Sequence, residues 1–172
     1  MEEIQIRKVS GLKGLNQFLD AGNFIKSSEH NYIAPLRMSV SRTLNKKKNP
    51  LWKEMDYELF IARKSNAFLG RIAVIYRKNH STDTTGYFGY FDFVNDSNVA
   101  RLLLARAAEI VKQQGCTTMI GPINPTPNYE LGVLTKGYDV PPFFMMSYNP
   151  YYYDRLITGC GGKLEMKFQA FQ

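Results

Sequence analysis

The stretch from Gly86 to Gly121, GYFGYFDFVNDSNVARLLLARAAEIVKQQGCTTMIG, constrains the chain most, because it reads as strand, tight turn, helix and strand. In GYFGYFDFV, strict alternation puts Tyr87, Gly89, Phe91 and Phe93 on one face and Phe88, Tyr90, Asp92 and Val94 on the other. Aromatics on both faces mark a central strand. Asp96 or Ser97 can cap the helix that follows, since either oxygen can accept an unpaired N-terminal amide. Val99, Leu103, Ala107 and Ile110 recur at helical spacing, Leu102, Leu104 and Val111 widen the apolar face, and Arg101, Glu109, Lys112 and Gln113 look outward. Gly115 ends the helix and Cys116 to Ile120 supplies the next strand. A crossover of this kind leaves two parallel strands in one sheet.

The other elements fit around that unit. EIQIRKV suggests a first strand near Glu3 to Val9, and GLKGLNQFLDAGNFI a helix with Leu12, Leu15, Phe18 and Leu19 on one side and Gly22 as its terminator. From Ser28 to Met55, short helical pieces break at Pro35 and Pro50. YELFIA and LGRIAVIY form a hairpin or meander, the second strand covered on both faces because RIAVIY does not alternate. Residues 122–150 hold six of the eight prolines and read as a long ordered loop with one short helix, YELGVLT. YYYDRLITGCGG reads as a short helix ending at glycines, and KLEMKFQAF as a final strand with one wet face.

Composition excludes several classes. At 172 residues with 44% apolar and 22% charged residues, the expectation is one domain, 1–172. No run approaches the roughly 18 apolar residues needed to span a bilayer, and two acids open the chain. The expectation is therefore a cytoplasmic protein with no membrane partner. Cys116 and Cys160 lack a second ligand at metal spacing, and His30 and His80 stand far apart, so no metal is expected. The net charge of +7 is partly local: RMSVSRTLNKKKNPLWK, Arg37 to Lys53, carries six basic residues and no acid. Such a stretch can meet nucleic acid, an anionic membrane or cofactor phosphates, or be a solvated loop. The solvated loop is preferred and nucleic acid disfavoured, because no Gly/Arg repeat or interleaved aromatic accompanies the charges.

The order of elements is similar to that of the Gcn5-related N-acetyltransferase (GNAT) superfamily. FIARKSNAFLGRIAVIYRKNH, TTGYFGYFDFVND, IGPINPT, GYDVPPFFMMSYNPYYYDRL and KFQAF together resemble a bacterial group of GNAT-like proteins, over roughly Leu59 to Phe171. Members of that group are often longer, so the resemblance leaves open a truncation or an isolated domain of a longer chain. The resemblance implies an α/β fold with a mixed central sheet flanked by helices, and acetyl-CoA or another acyl-CoA as cofactor. In such proteins the central strand, here with Phe91 and Phe93, offers backbone groups to the pantetheine arm. The next turn aims helix amides at the pyrophosphate, here those of Asn98, Val99 and Ala100 with Arg101 beside them. The superfamily motif there begins with Gln or Arg, places a Gly three residues on, and ends with Gly or Ala. Its positions fall on Asn95, Asn98 and Ala100, so only Ala100 matches, and the Asp96 carboxylate would repel a phosphate.

What the resemblance implies chemically is an acyl-CoA-dependent N-acyltransferase acting on a small-molecule or peptide amine. Deprotonating an amine and protonating a departing thiolate needs a base and an acid. The superfamily's tyrosine falls near Ile157, where no phenol stands, so Tyr152 becomes the expected proton donor. Asp92 and Glu130 are the candidate bases, and Asn124, Tyr148 and Tyr153 the candidate substrate contacts. Each has a plainer reading: Asp92 as a strand-end residue, Glu130 as a helix cap, and the tyrosines as packing or a homodimer contact. The alternative at the level of function is a noncatalytic GNAT-like ligand-binding or interaction domain with a degenerate coenzyme site.

Overall fold

The structure is a computed structural model that describes residues 3–78 and 84–169; His80, Ala170 and Phe171 lie outside the described residues. Strand β1 (Gln5–Val9) leads into helix α1 (Gly11–Lys26), then two short helices, α2 (Arg37–Thr43) and α3 (Leu51–Glu54). Next come β2 (Met55–Lys64), β3 (Ala67–Arg77), β4 (Thr85–Phe93), α4 (Ser97–Gln113) and β5 (Thr118–Ile120). The sheet order is β1-β2-β3-β4-β5, antiparallel except for the last pair, which is parallel as the crossover requires. A separate small pair, β6 (Ile123–Asn124) with β7 (Glu130–Leu131), lies beside β4, and α5 (Tyr153–Gly159) closes the described fold.

Strict alternation in β2 and β3 divides the interior into two layers. Phe60, Ala62, Ile72 and Val74 meet Val99, Leu103, Ala107 and Ile110 of α4. Leu59, Ile61, Ala73 and Ile75 meet Phe18 and Ala21 of α1, with Leu44 and Trp52. Both faces of β3 are thereby covered. The α4 N-terminus is capped by Asp96, whose Oδ1 accepts the Asn98 and Val99 amides at 2.8 and 3.4 Å.

Four expectations change. The alternation along β4 breaks, because Tyr90 takes a positive φ of 45° beside a register shift. Phe88, Phe91 and Phe93 consequently share the α4 layer, while Tyr87 and Tyr90 share the α1 layer. A bulge of this kind turns one side chain out of sequence. Helix α1 runs past Gly22 to Lys26, because Ile25 still has a core face to bury, and Leu12 stays exposed on its first turn. YELGVLT is not a helix: Glu130 pairs with Asn124 instead, and Gly132 has φ +80°. Residues 162–169 form no strand, since alternation without a neighbour strand to complete the ladder does not make one, and Leu164, Met166 and Phe168 are exposed.

Candidate functional site

Beyond Tyr87, β4 loses its partner β5, whose pairing ends at Ile120. The 122–150 segment enters that opening. Ile123 passes so close to β4 that a Cβ on Gly89 would lie 1.8 Å from the Ile123 carbonyl oxygen, so only glycine allows the approach. Asn124 then fastens the bulge: its Oδ1 accepts the Tyr90 amide at 2.5 Å while its Nδ2 donates to Glu130 Oε2 at 3.2 Å. Further along, Ser147 Oγ donates to the Leu131 carbonyl, and Asn149 Oδ1 accepts the Leu134 amide at 2.7 Å. Asn31 Nδ2 ties the Tyr138 carbonyl to the α1–α2 connection at 2.8 Å. Side-chain amides thus do for this loop what a ladder does for a strand.

Between that loop and helices α1 and α2 lies a cleft of about 560 Å³. Asp92, Asn124, Glu130, Tyr148 and Tyr153, all picked out from sequence, line it together, as does Phe91. Apolar walls come from Leu19, Leu36, Val133 and Phe143. At its base Asp92 is gripped twice, by Lys26 at 2.9 Å and by Arg71 at 2.6 Å, all three side chains being nearly buried. Burial alone would push the Asp92 carboxyl up, yet the two cations hold it below the ordinary carboxylate value. It is therefore a fixed anion that orients Lys26 and Arg71, which makes it a poor proton acceptor at neutral pH. Tyr32, under the Lys26 ammonium, is pushed up to about 12 by burial and by Asp92.

Lys26 and Arg71 escaped the sequence reading for different reasons. Lys26 falls beyond the glycine taken as the end of α1. Arg71 had a signal, a lone cation inside the apolar run LGRIAVIY, where burial demands a partner. Its guanidinium also donates to the Phe18 carbonyl and lies so close under α1 that a Cβ on Gly22 would be 2.0 Å from Cζ.

The groups expected to hold a coenzyme are arranged otherwise. Val94 N–H donates to the Leu69 carbonyl, which makes Phe93–Gly70 a non-hydrogen-bonded pair and turns the Phe93 amide and carbonyl away from β3. Both are already occupied. Tyr152 Oη donates to the Phe93 carbonyl at 2.7 Å, and the Phe93 amide donates to Tyr153 Oη at 3.0 Å, with the Tyr153 ring stacked on Phe93 at 4.2 Å. Burial, with help from Glu29 and Asp92, pushes the Tyr152 hydroxyl well above its ordinary value. The tyrosine that approaches Asp92 is Tyr153, at 3.5 Å, rather than Tyr152. At the next turn Asp96 occupies the Asn98 and Val99 amides, and Arg101 Nη2 donates to Asn98 Oδ1 at 2.7 Å. In this arrangement the Phe93, Asn98 and Val99 groups expected to meet a pantetheine and a pyrophosphate have partners within the chain. Among the described residues no three His, Cys, Asp or Glu side chains cluster as metal ligands, and no helix is long and apolar enough to cross a membrane.

No family model matches the chain. Among curated proteins it is 29% identical over 142 residues to the bacterial ceramide synthase of Caulobacter vibrioides, covering 80% of this chain and 37% of that protein. It is 28% identical over 160 residues to protein YghO of Escherichia coli, covering 91% of this chain and 40% of that one. The chain thus spans about two fifths of the length of the curated relatives it matches. Among solved structures, a predicted acetyltransferase with acetyl-CoA from Clostridium acetobutylicum matches with a TM-score of 0.59 at 11% identity, over 99% of this chain and 96% of that one. An aminoglycoside N-acetyltransferase in complex with CoA matches with a TM-score of 0.57 at 9% identity, over 100% and 95% of the two chains. The mixed sheet with flanking helices is the GNAT fold.

Proposed function

We propose that this domain holds the acceptor of an acyl-CoA-dependent N-acyl transfer, and that the acceptor is an amine with a long apolar body. The observation that carries the reading is the cleft, where one carboxylate, Glu130, faces space between apolar walls while every other charge at its base is paired. Glu130 Oε2 is held by Asn124, and Oε1 makes no hydrogen bond among the described residues. A carboxylate so placed can hold an ammonium and take its proton, leaving the neutral amine that acyl transfer requires. A volume of about 560 Å³ is that of a small-molecule site. The resemblance to a ceramide synthase supports the substrate class, since a ceramide is the N-acyl amide of a long-chain amino alcohol.

A second reading, a GNAT-fold domain that binds a ligand without transfer chemistry of its own, is favoured by the occupied groups at Phe93, Asn98 and Val99. Calorimetric titration with a long-chain amine and with the alcohol of equal chain length tests both readings, followed by incubation with acyl-CoA and mass analysis for the amide. The expected result is tighter binding of the amine, with Glu130→Gln removing the preference but not the binding of the alcohol. An amide product from the chain alone supports transfer within this domain; amine binding without product supports the second reading. Equal affinity for amine and alcohol overturns the acceptor assignment.

A further inference from the structure

The mouth of the cleft is built from side chains that a water-soluble surface would hide. On one lip stand Ile33 and Leu36; on the other stand Phe143 and Phe144. Leu36 is 76% exposed, Phe143 61% and Phe144 94%. Asn31 bonded to the Tyr138 carbonyl links the segments that carry the two lips. Exposed apolar side chains gathered around one cleft mark a surface meant to be covered.

The charge of the segments that carry the lips says by what. Residues 31–53 hold six basic side chains and no acidic one, and residues 140–150 hold no charge at all. In the first segment Arg37 is bonded to Asp20 and Lys46 to Asp56. Arg42, Lys47 and Lys48 are exposed and form no ion pair among the described residues. Protein interfaces are depleted in lysine, and a second copy docked through this face would oppose one basic stretch with another. An anionic lipid surface accommodates both parts: acyl chains take the apolar lips, and headgroup phosphates take the cations.

We propose that the two lips form a peripheral membrane-contact surface, with Ile33, Leu36, Phe143 and Phe144 entering the headgroup boundary of an anionic leaflet and Arg42, Lys47 and Lys48 meeting its phosphates. A contact of this kind needs no spanning helix, and it stands whether or not the cleft takes an amine. It would open the cleft toward the bilayer rather than toward water.

Sedimentation of the chain with phosphatidylcholine vesicles, with and without phosphatidylglycerol, tests this. Phe144→Trp adds an indole to a chain whose one tryptophan, Trp52, is buried. Its emission should shift blue and be quenched by brominated acyl chains in the anionic vesicles only. Leu36→Glu with Phe144→Glu should lower vesicle affinity roughly tenfold or more, and Arg42→Gln with Lys47→Gln and Lys48→Gln should remove most of its salt dependence. Circular dichroism and Trp52 emission in the absence of lipid verify that each variant is folded. Failure of the folded protein to bind anionic vesicles overturns the proposal, as does binding that the glutamate pair leaves unchanged. So does a concentration-dependent dimer, lost in the glutamate pair, in a protein that ignores vesicles.

Discussion

At the junction of β4 and α4 the protein's own side chains occupy the Phe93 amide and carbonyl and the Asn98 and Val99 amides; in the cleft beside it, a carboxylate is held in place and left facing space. Tyr152, Tyr153 and Asp96 stand on the Phe93 and Asn98 groups with ordinary hydrogen-bond lengths, and Asp96 reaches the Val99 amide at 3.4 Å. Asn124 instead positions Glu130 and leaves one oxygen free of hydrogen bonds among the described residues. Both sites combine aromatics, carboxylates and amides, so residue type does not separate them. What separates them is whether the polar groups are spent on the fold. A satisfied group supports structure, and displacing its partner costs about what the hydrogen bond contributes, some 0.5–1.5 kcal/mol, before a ligand gains anything.

The contrast can be broken most severely at Asp92. Asp92→Asn leaves Lys26 and Arg71 buried without their counter-charge and should cost about 3–5 kcal/mol, read as a fall in the urea midpoint. Its pH dependence has a definite sign. The folded carboxyl titrates below its unfolded value of about 3.9, so its contribution is fully present above about pH 4 and is lost as pH falls through the lower folded value. A stability drop in that acid window that is absent in Asp92→Asn identifies the group.

A smaller effect is expected from Gly89→Ala, which sets a methyl against the Ile123 carbonyl. The loss should be about 1–3 kcal/mol, and because β6 must move, the Asn124 bond to Tyr90 should break with it. Amide exchange at Tyr90 measures that directly. Unchanged exchange with lowered stability would mean that the cleft is less tightly coupled to β4 than its geometry implies.

Tyr153→Phe sharpens the comparison at the junction. It strands the Phe93 amide in a buried place and should cost about 1–3 kcal/mol, whereas Tyr152→Phe removes only one bond to a carbonyl and should cost about 1 kcal/mol. Thermal denaturation of both variants gives the order. Equal, negligible costs would mean that these hydroxyls do not latch β4.

The least effect on stability belongs to Asp96→Asn. Asparagine is as good a cap as aspartate, so the unfolding free energy should change by less than about 0.5 kcal/mol. Removing the negative charge should nevertheless raise the affinity of the α4 N-terminus for pyrophosphate, measurable by calorimetry. If neither quantity changes, the carboxylate is not what disfavours an anion there.

Much of this architecture was legible in local pattern. The crossover from Thr85 to Ile120, the core face of α4, the Asp96 cap and the doubly covered β3 all follow from periodicity and capping chemistry, which act over a few residues. The likeness to GNAT proteins added the fold and brought Asp92, Asn124, Glu130, Tyr148 and Tyr153 forward, and these do line one cleft. Other features were decided over distances that pattern cannot reach. The bulge at Tyr90 depends on Asn124, thirty-four residues on, and the state of Asp92 depends on Lys26 and Arg71 from two other elements. The alternating residues at 162–169 show the converse: the strand pattern is present, but a strand exists only where a neighbour completes its hydrogen bonds. Periodicity specifies which face of an element is apolar, while the partner of each polar group is chosen by whatever the fold brings within hydrogen-bond reach.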